Sequence, residues 1–98
     1  MMYFNYKGTK VRLQAEEYRS NGTLAVAMYT QDGDLYDIVT VNLGDDMMQS
    51  KSMAYLDTNN HTGIDKWMEK HNLAIPMYVT HTSGFCSYPL YTILTSKF

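Results

Sequence analysis

The sequence predicts an α+β domain in which one short helix packs on one face of a mostly antiparallel sheet of about five strands. Three observations carry this reading. Asn21 to Leu43 reads as two strands joined at Asp32-Gly33, a pair that tolerates positive φ and favours hairpin turns. Lys10-Val11-Arg12-Leu13-Gln14 and Leu90-Tyr91-Thr92-Ile93-Leu94 supply further strand signals, the first with the alternation of a half-buried strand. Ile64, Trp67, Met68 and His71 fall at i, i+3, i+4 and i+7, the single stripe of an amphipathic helix.

With Asp32-Gly33 at the tip, Gln31 lies opposite Asp34 and Tyr29 opposite Tyr36. Leu24 with Val41, Val26 with Val39 and Met28 with Asp37 then share the face predicted to be buried. Ala27 with Ile38 and Thr23 with Asn42 share the other, since a slip of one residue would exchange the two sets. Before the hairpin, the aromatic segment Met1 to Tyr6 and the strand after Gly8 precede a turn at Ser20-Asn21-Gly22, which makes the first strands a meander. Glu16 to Arg19 fits either a strand continuation or a helical turn.

Met47 to Asn60 lacks clean periodicity and reads either as a long irregular connection or as one carrying a short edge strand near Met53 to Leu56. Thr62 and Asp65 have the spacing of a helix N-cap and its capping box. Asn72 suits a left-handed helix terminator and Leu73 can fold back on the last turn. Pro76 prevents the helix from resuming before Met77 to His81, a strand, and Ser83-Gly84 turns the chain. Pro89 belongs at a strand start or an edge.

Ninety-eight residues make a single compact domain spanning 1–98. An apolar fraction of 45% is that of a folded chain and excludes a disordered one. The chain carries a net charge of −2, yet Asp32, Asp34, Asp37, Asp45 and Asp46 fall in a segment without Lys or Arg. An acidic region of this kind repels nucleic acid and attracts a basic partner. Nine tyrosines and eight methionines favour adaptable apolar contacts. Cys86 is the only cysteine, so no intrachain disulfide forms. The first ten residues lack the apolar core of a signal peptide, and no apolar run reaches transmembrane length, so a soluble cytoplasmic location is expected.

Motifs for chemistry are sparse. Asp32, Asp34 and Asp37 lack the spacing of a calcium loop. His61, His71 and His81 lack a second ligand at zinc-site spacing, and no metal or cofactor is expected. Cys86 and His81 are close enough in sequence to approach across a turn, but no orienting third group accompanies them, so a cysteine-dependent enzyme is the weakest alternative. Lys7, Lys10, Arg12 and Arg19 beside Tyr3, Phe4, Tyr6 and Tyr18 offer a nucleic-acid-binding alternative, with few cations for a phosphate backbone.

The pattern NG-x-L-A-V-x-x-Y-x-x-D-G-x-x-Y-x-x-x-T-V-N-L over Asn21 to Leu43, with SGF-x-x-YPLY over Ser83 to Tyr91, resembles a family of small uncharacterised proteins. Gly22, Gly33, Asn42, Gly84 and Pro89 carry the resemblance. That family occurs in Gram-positive bacteria and in their plasmids, conjugative elements and phages. The resemblance implies an accessory protein acting on host machinery, with inhibition of CRISPR or restriction systems among the roles it suggests, and no catalytic residues to carry over. The expected function is therefore a non-enzymatic protein-binding module. Its predicted surface is Tyr29, Asp32, Asp34, Tyr36 and Asp37, facing a host or element-encoded protein with a basic surface. An exposed edge or the Met-rich segment also suits a homodimer, and no membrane partner is expected.

Overall fold

The computed structural model describes residues 2–98. Strands β1 (Phe4–Tyr6), β2 (Thr9–Glu17), β3 (Leu24–Thr30) and β4 (Leu35–Ile38) form one antiparallel meander. Strands β5 (Thr40–Val41), β6 (Met53–Leu56), β7 (Ala74–Ser83) and β8 (Cys86–Ile93) form a second sheet, in the order β5-β6-β8-β7. Helix α1 (Ile64–Lys70) lies between β6 and β7 in sequence. The α+β class and the one short helix are as the sequence predicts, but the strands are divided between two sheets rather than gathered into one of about five.

The division originates at Val39, which separates β4 from β5. Its N–H donates to the Val26 carbonyl of the first sheet at 3.0 Å, while its carbonyl accepts from Asp57 beside the second sheet at 2.9 Å. Val26 N–H, deprived of the Val39 carbonyl, donates instead to Thr40 Oγ1 at 3.2 Å. Tyr18 Oη lies 2.7 Å from the same hydroxyl. A threonine thus supplies the acceptor that the bent strand withdraws, satisfying a buried donor. Val41 consequently pairs with Tyr55 instead of facing Leu24.

The predicted register holds at Ala27–Ile38 and Met28–Asp37 and fails toward the tip. Gly33, at φ +90°, donates to the Thr30 carbonyl, and Thr30 N–H donates to Asp34. The tip is therefore a three-residue loop, a type I turn closed by a left-handed glycine. Tyr29 then faces Leu35, and Tyr36 is the extra residue in the bulge that restores register. Tyr36 turns toward Tyr6, their rings meeting edge to face at 5.9 Å.

Val11, Leu13, Val26, Met28, Val39, Leu56, Ile64, Met68 and Ile93 belong to one core shared by both sheets and the helix. On the outer face of the first sheet, Arg12, Gln14, Glu16 and Tyr29 form a side-chain chain that covers Ala25 and Ala27. Glu16 and Glu17 continue β2. Strand β6 is an interior strand between β5 and β8, which corrects its expected edge position. Pairing with β6 ends at Leu90, so Pro89 is flanked on one side only and withdraws no donor from a complete ladder.

Helix α1 begins after Gly63, which is left-handed and provides no side-chain cap, so the expected Thr62 capping box is not formed. Gly63 at φ +83° changes the chain direction there, leaving Thr62 exposed. The C-terminus follows the sequence reading. Asn72 is left-handed at φ +58°, its N–H donates to Glu69, and Leu73 N–H donates to Met68. These are the two bonds of a Schellman closure. Trp67 Nε1 donates to the Asn5 carbonyl of β1 at 2.7 Å, tying the helix to the first sheet while Ile64 and Met68 fill the core.

Thr40→Val keeps the shape but leaves Val26 N–H buried without an acceptor. Urea unfolding should show a loss of about 1–3 kcal/mol; a loss below ~0.5 kcal/mol would contradict this role for the hydroxyl.

Candidate functional site

The five side chains singled out from sequence do not form one surface. Tyr29 Oη donates to Glu16 Oε2 at 2.8 Å, and the Arg12 guanidinium lies 4.4 Å from its ring centre. The Glu16 bond raises the Tyr29 pKa above the usual phenol value. Tyr29 is thus engaged on the outer face of β2–β3, away from Tyr36. Asp37 Oδ1 accepts Ile38 N–H at 2.7 Å, and its Oδ2 lies 3.0 Å from Nε2 of the buried His61. That contact falls outside hydrogen-bonding geometry, so the two groups meet without an aligned bond. Asp37 therefore satisfies the outward backbone of β4 and holds the loop ahead of the helix.

Asp32 and Asp34 remain exposed at the hairpin tip, with Leu35 and Tyr36 also exposed beside them. The β1–β2 turn comes close, and Lys10, Thr9 and Gly8 line a shallow hollow together with the two carboxylates. Charges of both signs meet at this end, which weakens the acidic field expected from the sequence. Leu35 was hidden from sequence reasoning because the register slip that exposes it depends on the left-handed Gly33.

The arm formed by β7 and β8 has the most exposed apolar side chains. Tyr78 is 92% exposed and Phe85 fully so, with Ile75 at 50% and Met77 also exposed. The twenty-six residues between Lys70 and Lys97 contain no Asp, Glu, Lys or Arg, a signal legible in the sequence. Among the described residues, strand β7 has no strand partner on its outer side. Its pairing with β8 is interrupted between Pro76 and Thr80, where Tyr78 takes φ +59°. A left-handed tyrosine costs about 1–2 kcal/mol, and the bulge aims its ring outward instead of inward. Gly84 at φ +64° makes the two-residue turn that places Phe85 at the tip.

Beneath Tyr78, the bulge and helix α1 enclose a groove of about 330 Å³, walled by Pro76, Val79, Pro89 and Tyr91. Glu69 at its floor accepts a 2.6 Å hydrogen bond from Tyr91 Oη and lies 3.3 Å from Lys66 Nζ. The Tyr91 bond, with Lys66 adding, holds Glu69 below the usual carboxylate range. Burial, then the Glu69 carboxylate, pushes Tyr91 far above the usual phenol value. The groove thus has apolar walls on the strand side and the charged side chains Asp65, Lys66 and Glu69 on the helix side.

On the opposite face of this sheet, Tyr55 Oη lies 2.7 Å from His81 Nδ1 and accepts from Met48 N–H at 3.3 Å. His81 stands opposite Tyr88 and Cys86 opposite Ser83. The neighbouring Cys86 thiol is the main cause raising the Tyr88 pKa. Of the thiol and imidazole weighed as the weakest alternative, His81 is thus engaged by Tyr55. Among the described residues, no three His, Cys, Asp or Glu side chains gather as a metal site requires. Among the same residues, no helix is long and apolar enough to cross a membrane. Of the cations considered for nucleic acid, Arg12 is held on the Tyr29 ring and Lys7 lies 5.3 Å from the centre of the Tyr6 ring.

A family model described as "Domain of unknown function (DUF4313)" matches residues 12–98. No curated protein and no solved structure matches the chain.

Tyr91→Phe removes the Glu69 bond. Because the native carboxylate is held low, this bond stabilises the fold above the unfolded carboxylate range, near pH 4.3, and fades as pH falls through the native value. Thermal or urea unfolding at pH 7 should show a loss of about 0.5–1 kcal/mol after allowance for exposure, narrowing toward pH 3. An equal deficit at both pH values would contradict the assignment.

Proposed function

We propose that this chain, which belongs to the DUF4313 family of unknown function, is a small non-enzymatic protein-binding module that engages its partner through the β7–β8 arm. One observation carries the reading: an uncharged arm holds Tyr78 and Phe85 out in solvent, the former at the expense of a strained backbone. Exposed aromatic anchors with an apolar surround have the composition of interface hot spots. Backbone strain at an exposed side chain is retained where the side chain has work to do. Ile75 and Met77 extend the apolar surface along the same strand.

A second reading places a basic partner at the β3–β4 tip. It is favoured by the exposure of Leu35 and Tyr36 beside Asp32 and Asp34. A host defence complex, the target suggested by the resemblance to mobile-element proteins, is one form such a partner would take. Asp37, exposed on the same strand, adds to this surface, while Tyr29 is engaged with Glu16 and Arg12 on the outer face of β2–β3.

The two surfaces are separable by measuring affinity for a captured partner with charge-substituted chains of verified fold. Ile75→Lys combined with Met77→Lys should weaken binding by about 100-fold, the scale of two modest hot spots. Asp32→Lys combined with Asp34→Lys should change it less than tenfold. The reverse ranking would transfer the interface to the hairpin, and no effect from either pair would overturn the binding role of both.

A further inference from the structure

We infer that the groove between helix α1 and the Tyr78 bulge receives one arginine side chain, presented by the protein that docks on the β7–β8 arm. The inference rests on the protein-binding reading of that arm and assigns the chemistry of its partner.

Charge is the first argument. Asp65 and Glu69 lie four residues apart on α1 and face the same way, a like-charge pair that by itself disfavours the helix. Lys66 is the cation of the lining, and it is already engaged by Glu69 Oε2, which also accepts Tyr91 Oη. Among the described residues, neither the Asp65 carboxylate nor Glu69 Oε1 has a hydrogen-bond or ion-pair partner. Two carboxylates facing one ammonium leave the groove short of one positive charge.

Shape is the second. The groove holds about 330 Å³, the small end of ligand sites and the scale of a single extended side chain. Pro76 and Pro89 wall its strand side together with Tyr78 and Tyr91. Burial and then Glu69 raise the Tyr91 phenol, and Asp65 and Tyr78 add to the shift, so the acidic oxygens of all four residues surround one space. Tyr78 stands open to solvent at this groove, with its ring free to receive a planar cation.

Arginine meets both walls at once. Its methylene stem packs on apolar surface such as the two prolines. Its planar fork reaches two carboxylate oxygens while its face stacks on a tyrosine ring. Lysine brings a point charge without the plane. The same combination already occurs within this chain, where the Arg12 guanidinium lies 4.4 Å from the Tyr29 ring centre and Glu16 accepts the Tyr29 hydroxyl.

NMR of the isotope-labelled full chain, titrated with the capped tripeptide acetyl-Gly-Arg-Gly-amide, tests the proposal. The amides of Asp65, Glu69, Tyr78 and Val79 should shift and saturate, with a dissociation constant on the order of millimolar. The citrulline tripeptide, alike in shape but uncharged, should bind about tenfold more weakly, the scale of a charge-assisted hydrogen bond. Asp65→Asn should cost about tenfold for the same reason, and Tyr78→Gly about threefold through the lost ring. Glycine readily takes the left-handed backbone at residue 78, so that variant keeps the fold. No saturating shift at tens of millimolar peptide would overturn the inference, as would equal affinity for arginine and citrulline or wild-type binding by Asp65→Asn. If the groove fails these tests while Ile75→Lys combined with Met77→Lys still abolishes capture of a protein partner, the arginine assignment falls and the arm's binding role survives.

Discussion

The backbone of Val39 is the point on which both sheets depend. Its N–H belongs to one sheet and its carbonyl to the other, so one residue terminates one ladder and starts the next. An abrupt bend in a strand ordinarily orphans a buried donor, and here the Val26 N–H is that donor. Thr40 resolves the difficulty because its hydroxyl lies one residue past the bend and reaches back to the vacated position. Valine has the same shape and β preference but no acceptor. The local chemistry of one hydroxyl thereby permits the global change from a meander to a two-sheet core.

The bend distributes the rest of the chain. It sends β5 to β6 and, through β6 and β8, places β7 at the far edge of the second sheet. The helix then connects the extremes, with Trp67 bonded to β1 and α1 packed beside β7. The core is closed on the helix side, while the β7–β8 arm continues past it. A second polar cluster fastens the loop that follows the bend. Asn42 Oδ1 accepts from Asn21 Nδ2, from Gln49 Nε2 and from Gly44 N–H, while Gln49 Oε1 accepts from Leu43 N–H. Gln49 is buried, and its hydrogen bonds meet the cost of that burial. Gly22, Gly33, Asn42, Gly84 and Pro89, on which the sequence resemblance rests, lie at turns, at a strand interruption or in this polar cluster. They specify architecture and not a shared chemistry.

Patterns confined to one element were legible in the sequence. Ile64 and Met68 are buried from the helix stripe, and Asn72 closes that helix as its residue type predicts. Leu24, Val26, Met28 and Val39 are buried together as hairpin alternation requires. What escaped was set by backbone conformations that residue type only weakly restricts. A left-handed Gly33 in a three-residue loop displaced Leu35 and Tyr36 by one position, which separated Tyr36 from Tyr29. The bulge at Tyr78 left no periodic trace because a tyrosine in a β pattern ordinarily signals a regular strand. Tyr29 looked available for binding, yet its partner, Glu16, lies on the neighbouring strand and could be found only in the folded chain.

Native-state hydrogen exchange followed by NMR tests most directly whether Val39 binds both sheets into one cooperative unit. The Val26, Val39 and Asp57 amides should exchange together, with the free energy of global unfolding. Val26 should be as slow as its neighbours although its acceptor is a side chain. Exchange of Asp57 through an opening that leaves Val26 protected, or the reverse, would mean that the sheets come apart independently and would contradict the account.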